Sequence, residues 1–142
     1  IHRSYYAYTI SVDLDRVGID GEINVSNEEK AKRVKTLLET VQYLYRDIRG
    51  RRENLSPLFI IGGNYERKNP FFENIVKIDN NMINVNALAE MKESNEDLEK
   101  STIVGVTSGI FNNDSQIKEK LGAVTIAEAF GEFKKKVDEY YA

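Results

Sequence analysis

The order of patterns along this chain predicts an α+β sandwich: an antiparallel sheet with helices packed on one face and a further helix at the C-terminus. Three observations carry that prediction. Short alternating or apolar runs of strand length stand at residues 5–15, 58–61, 75–78 and 102–106. Between and after them, apolar residues recur at helical spacing behind Ser26, Asn84 and Thr125, each a residue type that opens helices. Turn signals such as Asp20-Gly21 and Asn80-Asn81 punctuate the order of elements.

Taken in order, residues 5–15 alternate, with Tyr6, Tyr8, Ile10, Val12 and Leu14 on one face, and predict a half-buried strand. Residues 18–25 form a loop around Asp20-Gly21. Ser26 followed by Glu29 is a capping box, and Ala31, Val34, Leu37, Leu38, Val41, Leu44 and Ile48 extend an amphipathic helix toward Gly50 as its stop. Leu58-Phe59-Ile60-Ile61, halted by Gly62-Gly63, predicts a central strand buried on both faces. A short strand at 75–78 precedes a helix holding Val85, Leu88 and Met91, weakened toward Leu98 by Ser94-Asn95. Thr102 to Val106 is a β-branched strand. Asp114 to Leu121 is a short helix closed by Gly122, and the Thr125/Glu128 box starts the last helix, striped by Ile126, Phe130, Phe133, Val137 and Tyr140. This is the order of the ferredoxin-like, or split βαβ, sandwich.

At 142 residues with 41% apolar content, the chain supports one domain with a real core. It has no Cys, so disulfide and thiolate-metal chemistry are excluded and a cytoplasmic location is favoured. No apolar run reaches membrane-spanning length, so no membrane partner is expected. A net charge of −3 argues against nucleic-acid binding by bulk field, while leaving room for a local basic groove. The chain begins at Ile1, not Met.

Catalytic arrangements are sparse. His2 is the one histidine and stands at the terminus, too little for a zinc site. Asp13 and Asp15, an i, i+2 pair beside Arg16, fit a salt bridge or turn better than a hard-cation site. Gly62-Gly63-Asn64 lacks the spacing of nucleotide-binding loops and reads as a strand end where φ turns positive. No cofactor and no enzymatic activity are expected.

The basic clusters remain. Arg46, Arg49, Arg51 and Arg52 gather around Gly50, where Arg46 also suits a helix C-terminus while Arg51 and Arg52 lie beyond it. Guanidinium groups match phosphate in a bidentate manner. Arg67 and Lys68 lie beside Asn64, Tyr65 and Asn69, with Phe71-Phe72 following. Cations near aromatics can hold single-stranded RNA by phosphate contact and base stacking. Solvated surface charge over partly buried phenylalanines explains the same residues equally well.

The segments YYAYTISVDLDRVG, RVKTLLETVQYLYRD, LSPLFIIGG and NPFFENIV, in that order, resemble the Cascade backbone subunit of type I CRISPR systems in its DevR-like, type I-B form. The shared features are the run Leu14-Asp15-x-Val17-Gly18 with Arg16 between, a Leu-rich helix, a basic loop leading to Ser56-Pro57, and a Gly-Asn loop leading to Pro70-Phe71. The ending, from residues 102–112 to the helix closing on Glu139-Tyr140-Tyr141, also fits. The resemblance spans nearly the whole chain but only the C-terminal half of that family, so it implies a single domain, residues 1–142, from a longer chain lacking its N-terminal part. It further implies a modified RNA-recognition-motif fold of the RAMP superfamily. Copies would polymerise in a helical filament along CRISPR RNA with other Cascade subunits, meeting target DNA through the guide. Carried over by position, Arg49, Arg51, Arg52 and Asn54 before the strand, and Lys68 and Asn69 after it, would contact the RNA backbone. Two departures stand out: the basic loop is short and without a Gly-Gly-Ala run, and Asn69 replaces a histidine before Pro-Phe. Two alternatives compete with this reading: a ribonuclease of the same superfamily using Asp13 or Asp15, and a ferredoxin-like regulatory or interaction domain without RNA.

Overall fold

A computed structural model describes residues 5–142, excepting the side chain of Ile48; His2 lies outside the described residues. The architecture is α+β, with small antiparallel sheets and helices that include a C-terminal one, compatible with a ferredoxin-like or RNA-recognition-motif-like arrangement. The elements are β1 (Ile19–Asp20), β2 (Ile23–Asn24), α1 (Asn27–Gln42), β3 (Tyr45–Ile48), β4 (Arg51–Asn54), β5 (Phe59–Gly62), β6 (Ile78–Asp79) and β7 (Met82–Ile83). They are followed by α2 (Val85–Lys92), α3 (Glu96–Ser101), β8 (Ile103–Val106), α4 (Asp114–Leu121) and α5 (Ile126–Tyr141). Among the described residues the strands form antiparallel pairs, β1 with β2, β3 with β4, β5 with β8 and β6 with β7, and not one continuous sheet.

The pair β5–β8 is the spine. Phe59 faces Val106 and Gly62 faces Ile103 across the ladder, and Val124 bridges the far edge of β8 through its N–H and carbonyl to Val104 and Val106. Strand β8 is therefore the one buried along its length, whereas β5 is only half-buried. The expectation that residues 58–61 form the strand covered on both faces is corrected by this arrangement, because burial follows from position in the layers and not from apolar content. Val104 and Val106 point into a core with Leu88, Leu98, Phe111, Ile117 and Leu121. On the opposite face Gly105 lets α5 approach: a Cβ built there would lie 2.7 Å from that of Ala129. Helix α5 in turn packs on α1, where Ala31, Val34, Val137 and Tyr141 form a second cluster with Leu14 and Val17 at its margin.

Local signals explain where three helices start and where one stops. The Ser26 side chain accepts from the Glu29 N–H at 3.2 Å, and Thr125 accepts from the Glu128 N–H at 3.1 Å. Asn95 accepts from the Leu98 N–H at 2.8 Å, so the break at Ser94-Asn95 opens a new helix, α3. Gly122 closes α4 in the left-handed region, with φ 64°.

Four expectations need correction. Residues 5–13 belong to no strand, although their alternation is clear; Tyr6 is 81% exposed and Ile10 49%. Alternation assigns side chains to faces, but a strand needs a partner for its backbone, and none of the described strands pairs there. Helix α1 ends at Gln42, and the segment toward Gly50 turns back on itself as a hairpin. Strand β6 begins only at Ile78, because residues 71–75 are turns. Finally, Gly63 does not have positive φ; glycine is needed because any Cβ would collide with the Ser101 carbonyl oxygen.

Candidate nucleic-acid interface

The basic cluster around Gly50 is carried by the β3–β4 hairpin. Tyr45 pairs with Asn54, Arg46 with Glu53, Asp47 with Arg52 and Ile48 with Arg51. The two-residue loop, Arg49-Gly50, takes positive φ at both positions, 50° and 77°, which is the backbone twist that suits a tight hairpin. Arg46 therefore does not cap a helix. Its guanidinium lies 2.8 Å from Glu53 across the ladder, and this hydrogen bond raises its pKa above the ordinary value.

Since cross-strand partners share a face and neighbours alternate, the cations are divided between the two sides. Arg52 and Asn54 project with Tyr45 and Asp47, while Arg51 lies on the side of Arg46 and Glu53. Arg49 stands at the tip. All of these residues are exposed, so the hairpin is a finger with solvent on both faces. The Arg52 guanidinium stacks 4.1 Å over the Tyr45 ring and stays 3.9 Å from Asp47. Arg49 and Arg51 have no ion-pair partner among the described residues. Asn54 has a structural duty as well, since its carboxamide oxygen accepts the Ser56 N–H at 2.9 Å and turns the chain toward β5.

At the base of the finger a groove of about 680 Å³ separates β3 from the end of α1, lined by Thr36, Glu39, Thr40, Tyr43, Tyr45 and Arg46 among others. Tyr43 and Tyr45 are both largely exposed in it. The sequence reading missed these two tyrosines because it continued the helix through them. The one local hint was Gly50 in an Arg-Gly pair, a residue that suits a turn as well as a helix stop; the flanking residues carry no strand alternation.

The second predicted loop is placed differently. The Lys68 ammonium lies 3.0 Å from Asp13 and 2.8 Å from Asp15. These bonds hold its pKa above the ordinary value, Asp15 contributing most. The carboxyl of Asp13 is held below its ordinary range chiefly by the Lys68 hydrogen bond, with the Asp15 N–H and Arg16 adding to it. Asn69 is exposed next to it. Thus Arg49, Arg51, Arg52 and Asn54 share one element, Lys68 and Asn69 share another, and no hydrogen bond or ion pair joins the two groups among the described residues.

The α+β fold thus carries an exposed cationic hairpin on a packed core. A family model described as "CRISPR-associated negative auto-regulator DevR/Csa2" matches residues 1–87, more than half of the 142-residue chain. The chain belongs to this CRISPR-associated, Cascade-type DevR-like family. No curated protein and no solved structure matches it. Among the described residues no helix is long and apolar enough to cross a membrane.

Proposed function

We propose that this chain is a CRISPR RNA-binding backbone subunit of a type I interference complex, gripping the guide backbone without regard to sequence in antiviral defence. The observation that carries the reading is the β3–β4 finger, whose Arg49, Arg51 and Arg52 stand in solvent with an aromatic ring beside them. Guanidinium groups on both faces of a thin hairpin suit the phosphates of a strand that passes around it. The neighbouring tyrosines offer π-faces that any base can stack on, which is a sequence-tolerant contact. Membership in a CRISPR-associated family supports the same reading. On this reading Lys68 and Asn69 add a second backbone contact. The partners are CRISPR RNA, further copies of the chain along it, other subunits of the complex, and target DNA through the guide. The protein acts in the cytoplasm as a binder and not as an enzyme; the Lys68 ammonium lying between Asp13 and Asp15 supports binding over hydrolysis at that pair.

Fluorescence anisotropy with labelled single-stranded RNA tests the proposal. Replacing Arg51→Ala together with Arg52→Ala weakens binding about tenfold at low salt. It also flattens the slope of log K against log salt by about 1.4, the effect of two lost phosphate contacts on a single strand. An unchanged affinity and slope in a folded double variant would refute the assignment.

A further inference from the structure

Lys68 is not free to meet RNA as the structure stands. Its ammonium donates to two carboxylates of one short turn, Asp13 at 3.0 Å and Asp15 at 2.8 Å, with a further approach of 3.3 Å to the second oxygen of Asp13. The turn that offers them is built in advance. The Asp15 N–H donates to Asp13 Oδ1 at 3.2 Å, and Arg16 lies 3.7 Å from Asp13 Oδ2. At the end of α5 the Tyr140 hydroxyl donates to Asp15, and the Tyr141 hydroxyl donates to the Leu14 carbonyl at 2.7 Å. Two carboxylates thus meet the ammonium at the hydrogen-bonding distances that a phosphodiester oxygen would also take.

The contact is also exchangeable. The Lys68 side chain is 63% exposed and that of Asp15 53%, so water and incoming anions reach the ammonium from the open side. Solvent-exposed ion pairs contribute little and are screened by salt. A pair of this kind is poorly suited to holding a fold together and well suited to being replaced.

We propose that Asp13 and Asp15 serve as an internal stand-in for RNA phosphate on Lys68, occupying its ammonium until a phosphodiester displaces them. The pair thereby sets how tightly the second loop binds RNA. This rests on the reading of Lys68 as a phosphate contact. In the RNA-free protein the carboxylates neutralise the loop, which lowers its attraction for stray anions. On RNA a strand already held by the arginine finger presents its phosphate at high local concentration and takes the lysine over.

The test compares wild type, Asp13→Asn with Asp15→Asn, Lys68→Ala, and the three changes together, each binding a fluorescein-labelled oligouridine at low salt. Thermal melts followed by circular dichroism verify that each variant is folded. The double Asn variant binds about threefold to fivefold more tightly than wild type, and the gain disappears when Lys68 is alanine. Two results would overturn the inference: no gain in a folded double Asn variant, or a gain that survives Lys68→Ala, which would make it an effect of net charge. If the double variant unfolds, Asp13→Asn alone carries the same test with a smaller gain. Failure of wild type and every variant to bind RNA sinks the RNA reading itself and this inference with it. Loss of affinity in Lys68→Ala without gain in the Asn variant sinks only the stand-in.

Discussion

At the scale of single residues, Tyr65 shows how one half-buried polar group is held. Its hydroxyl shares a hydrogen bond with the Thr102 hydroxyl at 2.7 Å, and its ring meets that of Phe71 edge-on at 5.3 Å. Burial pushes its pKa from the ordinary 10.0 up to about 12; Thr102 opposes that shift and Asp97 adds to it. The folded value lies above the unfolded one, so the contribution of the neutral phenol is complete below pH 10.0 and is lost as pH rises toward 12. Tyr65→Phe, which leaves Thr102 short of a partner, lowers stability at neutral pH by about 1–2 kcal/mol. Urea midpoints measured below and above the window check both points: the gap between wild type and variant narrows, then reverses, as pH climbs through it. Sequence inspection places Tyr65 next to a basic loop and cannot show this duty, because Thr102 lies far along the chain.

At the scale of elements, the finger and the spine stand at opposite ends of stability. The β3–β4 hairpin has both faces in solvent, and isolated two-stranded hairpins are marginal in water. Its amides are therefore expected to exchange with deuterium much faster than those of β8, and to slow when RNA is added; equal protection in both would contradict the account. In the spine, Gly105→Ala pushes a methyl against Ala129 at 2.7 Å and the Ile60 side chain at 3.1 Å, with a cost of roughly 1–3 kcal/mol in thermal melts. Elements with local causes were legible in the sequence. The Ser26/Glu29 and Thr125/Glu128 boxes start α1 and α5, Asn80-Asn81 turns the β6–β7 hairpin with φ of 52° and 59°, and Gly122 ends α4. Those decided by partners were not. Leu44 and Ile48 continue the helical spacing of α1, so only pairing with Arg51–Asn54 reveals the hairpin. Tyr6, Tyr8 and Ile10 alternate as a strand does, yet nothing among the described strands pairs with them.

At the scale of the whole molecule, α5 is the brace. It covers β8 with Ala129, packs on α1 through Val137, and fixes the turn at residues 14–15 through Tyr140 and Tyr141. That turn in turn holds Lys68, 55 positions away along the chain from Asp13. The charged residues of the candidate site were legible as composition: Arg49, Arg51, Arg52 and Lys68 are visible as basic clusters in any reading of the chain. Their division between a two-faced finger and a carboxylate-held loop was not, because it depends on strand register and on a long-range ion pair. The finger gathers cations in one exposed place, which reconciles a net charge of −3 with the proposed RNA-binding role. The most direct measurement is the affinity of wild type for single-stranded RNAs of unrelated sequence across a salt series. The account predicts affinities within a few-fold of one another, falling with log salt at a slope of about −2.8, as phosphate contacts by three arginines and Lys68 on a single strand require. No binding, binding indifferent to salt, or strong preference for one sequence would contradict it.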